Sequence, residues 1–163
     1  MKNLILTLTL LVFAVSFGQT AQEYFNSAYD KAQANDYSGA IRDYNKAIEL
    51  DPNNAKAYYN RGLSKNNLED HYGAISDYNK AIELDPNDAD AYLNRGLIKD
   101  NLKDFYGAIS DYNKAIELDP NDADAYYNRG NSKQNLKEGE GLGIPDYTKA
   151  IELNPNYAKA YYN

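Results

Sequence analysis

Residues Ala55–Asp88 and Ala89–Asp122 are two copies of one 34-residue segment. They differ only at Lys56/Asp90, Tyr59/Leu93, Ser64/Ile98, Asn66/Asp100, Glu69/Lys103 and His71/Phe105. A period of this length means that each copy is one supersecondary unit, which hides its apolar face only by stacking on the next. A more divergent copy precedes the pair at Ala21–Asn54. A fourth, one residue longer, follows at Ala123–Tyr157, and a fifth starts at Ala158 and stops at Asn163.

The residue spacing predicts two helices in each copy. In the second copy the first helix covers roughly Ala55–Leu68, and Asp70 is an N-cap whose carboxylate accepts a free backbone N–H of the following turn. The second helix covers roughly His71–Leu84, where Ala74, Ile75, Tyr78, Ala81 and Ile82 form one apolar stripe. Asp85-Pro86-Asn87 ends it, because proline disfavours helical geometry in the residue before it. Pro52, Pro120 and Pro155 repeat this stop. The fourth copy is irregular from Glu138 to Pro145, where three glycines weaken a helix. Pro145 suits a first helical turn, so the second helix there is expected to begin near residues 143–145. The stretch reads either as a hinge or bulged contact loop or as drift near the end of the array.

Counting each copy from its first alanine, the second has Tyr58, Gly62, Ala74, Tyr78, Ala81 and Pro86 at positions 4, 8, 20, 24, 27 and 32. The third has Tyr92, Gly96, Ala108, Tyr112, Ala115 and Pro120, and the first has Tyr24, Ala28, Ala40, Tyr44, Ala47 and Pro52. These landmarks resemble those of the tetratricopeptide repeat from Ala21 to Tyr157. The resemblance implies an all-α, right-handed α-solenoid of tandem antiparallel helix-turn-helix repeats. It implies a protein-interaction scaffold whose partner is a protein or peptide held in the concave groove.

By the same resemblance, positions 2, 5, 9, 12 and 13 of each first helix face inward. They are Lys56, Tyr59, Leu63, Asn66 and Asn67 in the second copy, then Asp90, Leu93, Leu97, Asp100 and Asn101 in the third. The fourth supplies Asp124, Tyr127, Asn131, Gln134 and Asn135, and the first Gln22, Phe25, Tyr29, Ala32 and Gln33. Rings grip apolar side chains, and amides bond an extended peptide backbone; the alternative is a plain solvated helix face. Some relatives clamp a terminal carboxylate with lysines and asparagines. Asn60, Asn94 and Asn128 keep the asparagine, but Phe25, Tyr59, Leu93 and Tyr127 replace the lysine, so that clamp is not expected here.

Two departures from the family pattern carry charge. Arg61, Arg95 and Arg129 stand at position 7, and Lys31, Lys65, Lys99 and Lys133 at position 11. Asp43, Asp77, Asp111 and Asp146 recur at position 23. A guanidinium suits a two-pronged carboxylate contact at a seam. The expectation is that each arginine reaches back one copy: Arg61 to Asp43, Arg95 to Asp77, Arg129 to Asp111. Ordinary solvated charges are the alternative. Asp77 with Lys80, and Asp111 with Lys114, read as surface pairs three apart on a helix.

Composition narrows the function. There are 17 basic and 24 acidic side chains, and a net charge of -7 disfavours nucleic acid as a partner. The chain has no cysteine and a single histidine, His71, which fills the slot of Tyr37 and Phe105 and reads as a packed ring. No catalytic constellation, phosphate loop, metal site or cofactor motif is recognised. Asp85-Pro86-Asn87-Asp88-Ala89-Asp90 lacks the central glycine and distant glutamate of a calcium loop and reads as a solvated turn.

Residues 1–18 differ from the rest. Lys2 precedes an apolar run from Leu4 to Phe17, and Ser16 and Gly18 place small residues before Gln19. That is the layout of a cleaved secretory signal of the bacterial kind, and it implies a periplasmic or secreted protein with no membrane contact after cleavage. The run is shorter than the roughly 20 residues of a spanning helix. The last copy stops inside a first helix, without the polar cap that solenoids need. Two further readings therefore stand beside the scaffold: end-to-end self-association through that end, or the docking arm of a longer enzyme or sensor.

Overall fold

The computed structural model describes residues 19–136 and 141–161. The export-signal reading of residues 1–18, the first part (Glu138–Glu140) of the irregular stretch from Glu138 to Pro145, and Tyr162 and Asn163 fall outside them. Among the described residues the chain is all-α, with no strand. Four helical hairpins follow one another: α1 (Ala21–Gln33) with α2 (Tyr37–Leu50), α3 (Ala55–Asn67) with α4 (His71–Leu84), α5 (Ala89–Asn101) with α6 (Phe105–Leu118), and α7 (Ala123–Gln134) with α8 (Ile144–Leu153). A short α9 (Ala158–Tyr161) opens the fifth copy. No described helix is long and apolar enough to cross a membrane.

Local chemistry starts and stops these helices as the sequence indicates. Thr20 and Glu23 form a reciprocal capping box on α1. Asp36, Asn54, Asp70, Asp88, Asp104 and Asp122 cap α2 to α7 with side-chain acceptors. Helix α8 starts at Ile144 with Pro145 in its first turn and no side-chain cap, in agreement with the expected late start. Between the helices of a hairpin the chain turns through a left-handed residue: Asn35 at φ 61°, Glu69 at 61° and Lys103 at 64°. Asparagine adopts this conformation readily. Glu69 and Lys103 hold it at a cost of about 1 kcal/mol each. Backbone bonds across the turn, such as Asp104 N–H to Lys99 C=O at 2.8 Å, keep them there.

Each helix packs on its predecessor and its successor, and the first helices of adjacent hairpins also touch, α1 with α3 and α5 with α7. The buried groups straddle the seams, as stacking requires. Ala57 of α3 closes the cluster of Ala28, Ala40 and Tyr44. Ile98 of α5 closes that of Ala74 and Tyr78, and Ala160 of α9 that of Tyr147 and Ala150. Gly96 shows how close the backbones come: a Cβ there would lie 2.7 Å from the Tyr112 ring.

A charge ladder does bind the hairpins, but its wiring corrects the sequence expectation. Each arginine takes the aspartate of its own hairpin. Arg61 grips Asp77 with Nε at 2.9 Å and Nη2 at 2.6 Å, and Arg95 grips Asp111 at the same distances. Arg129 binds Asp146 likewise. The proposed pairs Arg61–Asp43, Arg95–Asp77 and Arg129–Asp111 are absent. The seam is crossed instead by the third nitrogen, which donates to the asparagine at position 25 of the preceding copy. Arg61 reaches Asn45 at 2.7 Å, Arg95 reaches Asn79 at 2.6 Å, and Arg129 reaches Asn113 at 2.7 Å. The fork geometry is the reason, since two parallel donors, on Nε and Nη2, fit one carboxylate and leave the outward Nη1 for a neutral acceptor.

The lysines at position 11 complete the rungs, with Lys65, Lys99 and Lys133 each 2.8 Å from Asp77, Asp111 and Asp146. Each guanidinium also lies over a ring: Arg61 over Tyr58, Arg95 over Tyr92 and Arg129 over Tyr126. Asp77 and Asp111 are therefore not partners of Lys80 and Lys114, which pair with Glu83 and Glu117 on the surface. In the first hairpin Ser27 takes the arginine's place, donating to Asp43 at 2.6 Å beside Lys31.

Candidate functional site

The first helices α1, α3, α5 and α7 form the wall that the resemblance assigns to a guest. Its expected residues fall into two groups. Lys56, Asn67, Asp90, Asn101, Asp124, Gln134 and Asn135 are exposed. Tyr59, Leu63, Asn66, Leu93, Leu97, Asp100, Tyr127 and Asn131 are half-buried and are tied into the fold as much as offered to a guest. Tyr59 packs on Tyr78 with ring centroids 5.7 Å apart, and its oxygen accepts from Asn94 at 3.1 Å. Tyr127 lies between Tyr147, at 5.8 Å, and Tyr157, at 5.1 Å. Asn131 accepts from the Tyr147 hydroxyl at 2.9 Å, Asp100 from Ser132, and Asp124 from Tyr157. His71 is half-buried at the start of α4, its Nδ1 3.1 Å from the Asn66 side chain.

Two grooves open on this wall. One, of about 270 Å³, lies between α1 and α3, where the rings of Tyr29 and Tyr37 meet Leu63 and the amides of Gln33, Asn60 and Asn67. The other, of about 520 Å³, lies where α3 meets α5 and the turn before it. Lys56, Tyr59 and Asn60 line one side of it, and Asp85, Asp88, Asp90 and Asp119 the other. Asn60 lines both, so the two grooves adjoin along α3. Asn60 and Asn94, the asparagines that would have served a carboxylate clamp, donate to Lys56 C=O and Asp90 C=O of their own helices at 2.8 Å.

The second groove holds a negative field. Burial, and then the charges of Asp90 and Asp88, push the Tyr59 phenol up to about 12. Asp88 sits above the usual carboxylate range; burial raises it most, Asp90 and Asp85 add to this, and backbone bonds from Ala91 and Asp90 oppose it. The segment from Asp85 to Asp90 is a largely solvated turn, as the sequence indicates, with Asp85, Pro86, Asn87 and Asp90 exposed. Of its carboxylates only Asp88 is half-buried, as a helix cap that lines the groove. The contribution of Asp119, more than one hairpin away from Lys56 in sequence, carried no signal in the chain. Asn45, Asn79 and Asn113 were also missed, although their 34-residue recurrence was visible. Among the described residues no group of three or more acidic or histidine side chains could hold a metal ion.

Tandem hairpins stacked in one row, with a grooved wall of first helices, define an α-solenoid of the helical-repeat class. One family model, described as TPR repeat, matches residues 29–68 and 102–137, and two described as tetratricopeptide repeat match residues 55–88 and 77–109. The chain is similar to the crystal structure of MamA, with 30% identity and a TM-score of 0.78 over 82% of this chain and 78% of that one. The first TPR of Spaghetti (RPAP3), bound to the HSP90 peptide SRMEEVD, matches with 29% identity and a TM-score of 0.70, over 72% of this chain and 94% of that one. MamA 41-end from Desulfovibrio magneticus RS-1, at 24% identity and a TM-score of 0.79 over 90% of this chain and 82% of that one, shares the fold. No curated protein matches. The chain belongs to the tetratricopeptide repeat family.

Proposed function

We propose that this protein is an interaction scaffold that holds an extended peptide segment of a partner along the first-helix wall. The adjoining grooves on α3 support this most directly. They combine rings, a leucine and side-chain amides, which suit alternating apolar and backbone contacts of an extended chain. The similarity to a repeat domain bound to a peptide points the same way. A random peptide library selected on the chain tests the reading. Selected peptides are expected to bind with micromolar affinity and to lose binding when Asn67→Trp fills the first groove. Tyr72→Ala, on the exposed side of α4 and outside both grooves, is expected to leave binding unchanged. Peptides that bind the Asn67→Trp variant as well as the parent would reject the groove.

The signal-like layout of residues 1–18 supports export, and hence a periplasmic or secreted scaffold. Mass spectrometry of the chain expressed with its own N-terminus in a bacterial host is expected to find a product starting at Gln19 in the periplasm or medium. An intact N-terminus in the cytoplasmic fraction would rule this out.

A further inference from the structure

Resting on that reading, we propose that the guest is a basic peptide segment, and that one of its lysine or arginine side chains seats where α3 meets α5. The trough selects for charge at that point. Asp85, Asp88, Asp90 and Asp119 face the larger groove against a single cation, Lys56. None of the four has an ion-pair partner among the described residues. Elsewhere the same chain neutralises its buried carboxylates fully: Asp77, Asp111 and Asp146 each hold an arginine and a lysine. In the groove Asp88 is half-buried and Asp85, Asp90 and Asp119 are exposed along its rim, so four unmatched carboxylates line one cavity, and the charges of Asp90 and Asp88 add to burial in raising the Tyr59 phenol.

The near-identical second and third copies show where the charge of the wall changes. Two of their six differences, Lys56/Asp90 and Asn66/Asp100, put a carboxylate on the wall of the third copy where the second has a cation or an amide. Asp124 repeats the acid in the fourth. A lysine or arginine stem would run over the Tyr59 ring while its head meets the carboxylates. The adjoining groove on α1 and α3 carries no charged side chain, so it takes the peptide's uncharged residues. The same wall would repel the acidic end of a peptide such as SRMEEVD, which RPAP3 holds.

The array supplies fold-compatible replacements for a test. Asn54 fills the position of Asp88 and caps α3, Lys56 fills that of Asp90, and Asn154 fills that of Asp119 and makes the same turn bond. The variant Asp88→Asn/Asp90→Lys/Asp119→Asn therefore keeps each local structure. Three pools of equal-length peptides serve as probes, alike in their apolar positions and carrying Lys/Arg, Glu/Asp or Ser/Gln at the others. By fluorescence anisotropy at low salt, the basic pool is expected to bind about 10-fold tighter than the acidic one. The triple variant is expected to lose about 10-fold for the basic pool. A control with the same net change in charge, Glu49→Lys/Glu83→Lys on exposed second-helix positions, is expected to lose less than about 3-fold. Groove-dependent binding without a charge order, or a control that weakens binding as much as the triple variant does, would overturn the inference and leave the scaffold standing. If no pool shows binding that Asn67→Trp abolishes, the groove reading falls and this inference with it.

Discussion

Replacing Asp111 with alanine is expected to lower stability by about 3–5 kcal/mol, among the largest losses any single polar side chain here can cause. Its carboxylate is 4% exposed and answers two cations, Arg95 and Lys99. Removal leaves both positive groups facing each other without a counter-charge, while Arg95 remains bound at the seam to Asn79. The damage falls in the third hairpin, where the neighbours on both sides lose support. Urea midpoints should place Asp111→Ala far below Glu117→Ala, which removes only an exposed pair worth under about 1 kcal/mol. Replacing Asp111, Arg95 and Lys99 together by apolar residues should cost less than the single change, because no uncompensated charge remains. If Asp111→Ala and Glu117→Ala prove equally mild, the ladder is ornamental.

The first rung gives the same argument in pH. Burial pushes the Asp43 carboxyl up, but hydrogen bonds from Lys31 and Ser27 and the charges of Lys31 and Arg42 outweigh this and hold it below its ordinary value. A carboxyl depressed on folding stabilises above its unfolded value of about 3.9 and loses that contribution as pH falls through the folded one. Asp43→Asn should therefore differ from the parent at neutral pH and converge with it in strong acid.

Tyr78→Ala is expected to cost about 3–5 kcal/mol, and Tyr78→Phe to cost nothing or to stabilise by about 1 kcal/mol. The ring is fully buried between Ala74 and Ile98, close against Gly62 and the Tyr59 ring. Its truncation opens a cavity at the seam between the second and third hairpins. The hydroxyl has no hydrogen-bond partner among the described residues, so phenylalanine removes a buried polar atom at no loss of contact. Tyr147, the equivalent ring in the fourth copy, behaves oppositely. Its hydroxyl donates to Asn131, where the second copy has Leu63, so Tyr147→Phe should lose about 1 kcal/mol. Thermal denaturation of the three variants decides the matter; a Tyr78→Phe variant as unstable as Tyr147→Phe would mean that the Tyr78 hydroxyl is satisfied after all.

The linear pattern alone determined the hairpins. Caps such as Asp70 and stops such as Pro86 act within a few residues, and the apolar stripe of α4 repeats at helical spacing, so each element could be read where it stands. Stacking followed too, because a 34-residue copy with one apolar face has nowhere else to bury it. The recurrence of Arg61 and Asp77 also announced a charge ladder, but not its wiring. Which aspartate an arginine meets depends on how far one hairpin is displaced from the next, and a string of letters carries no such offset. The same displacement brings Asp119 to Lys56 and gathers dispersed turn carboxylates into one groove. Local chemistry has a range of one turn of helix, whereas the charge of the trough is a sum over two successive copies, and only stacking brings those copies together.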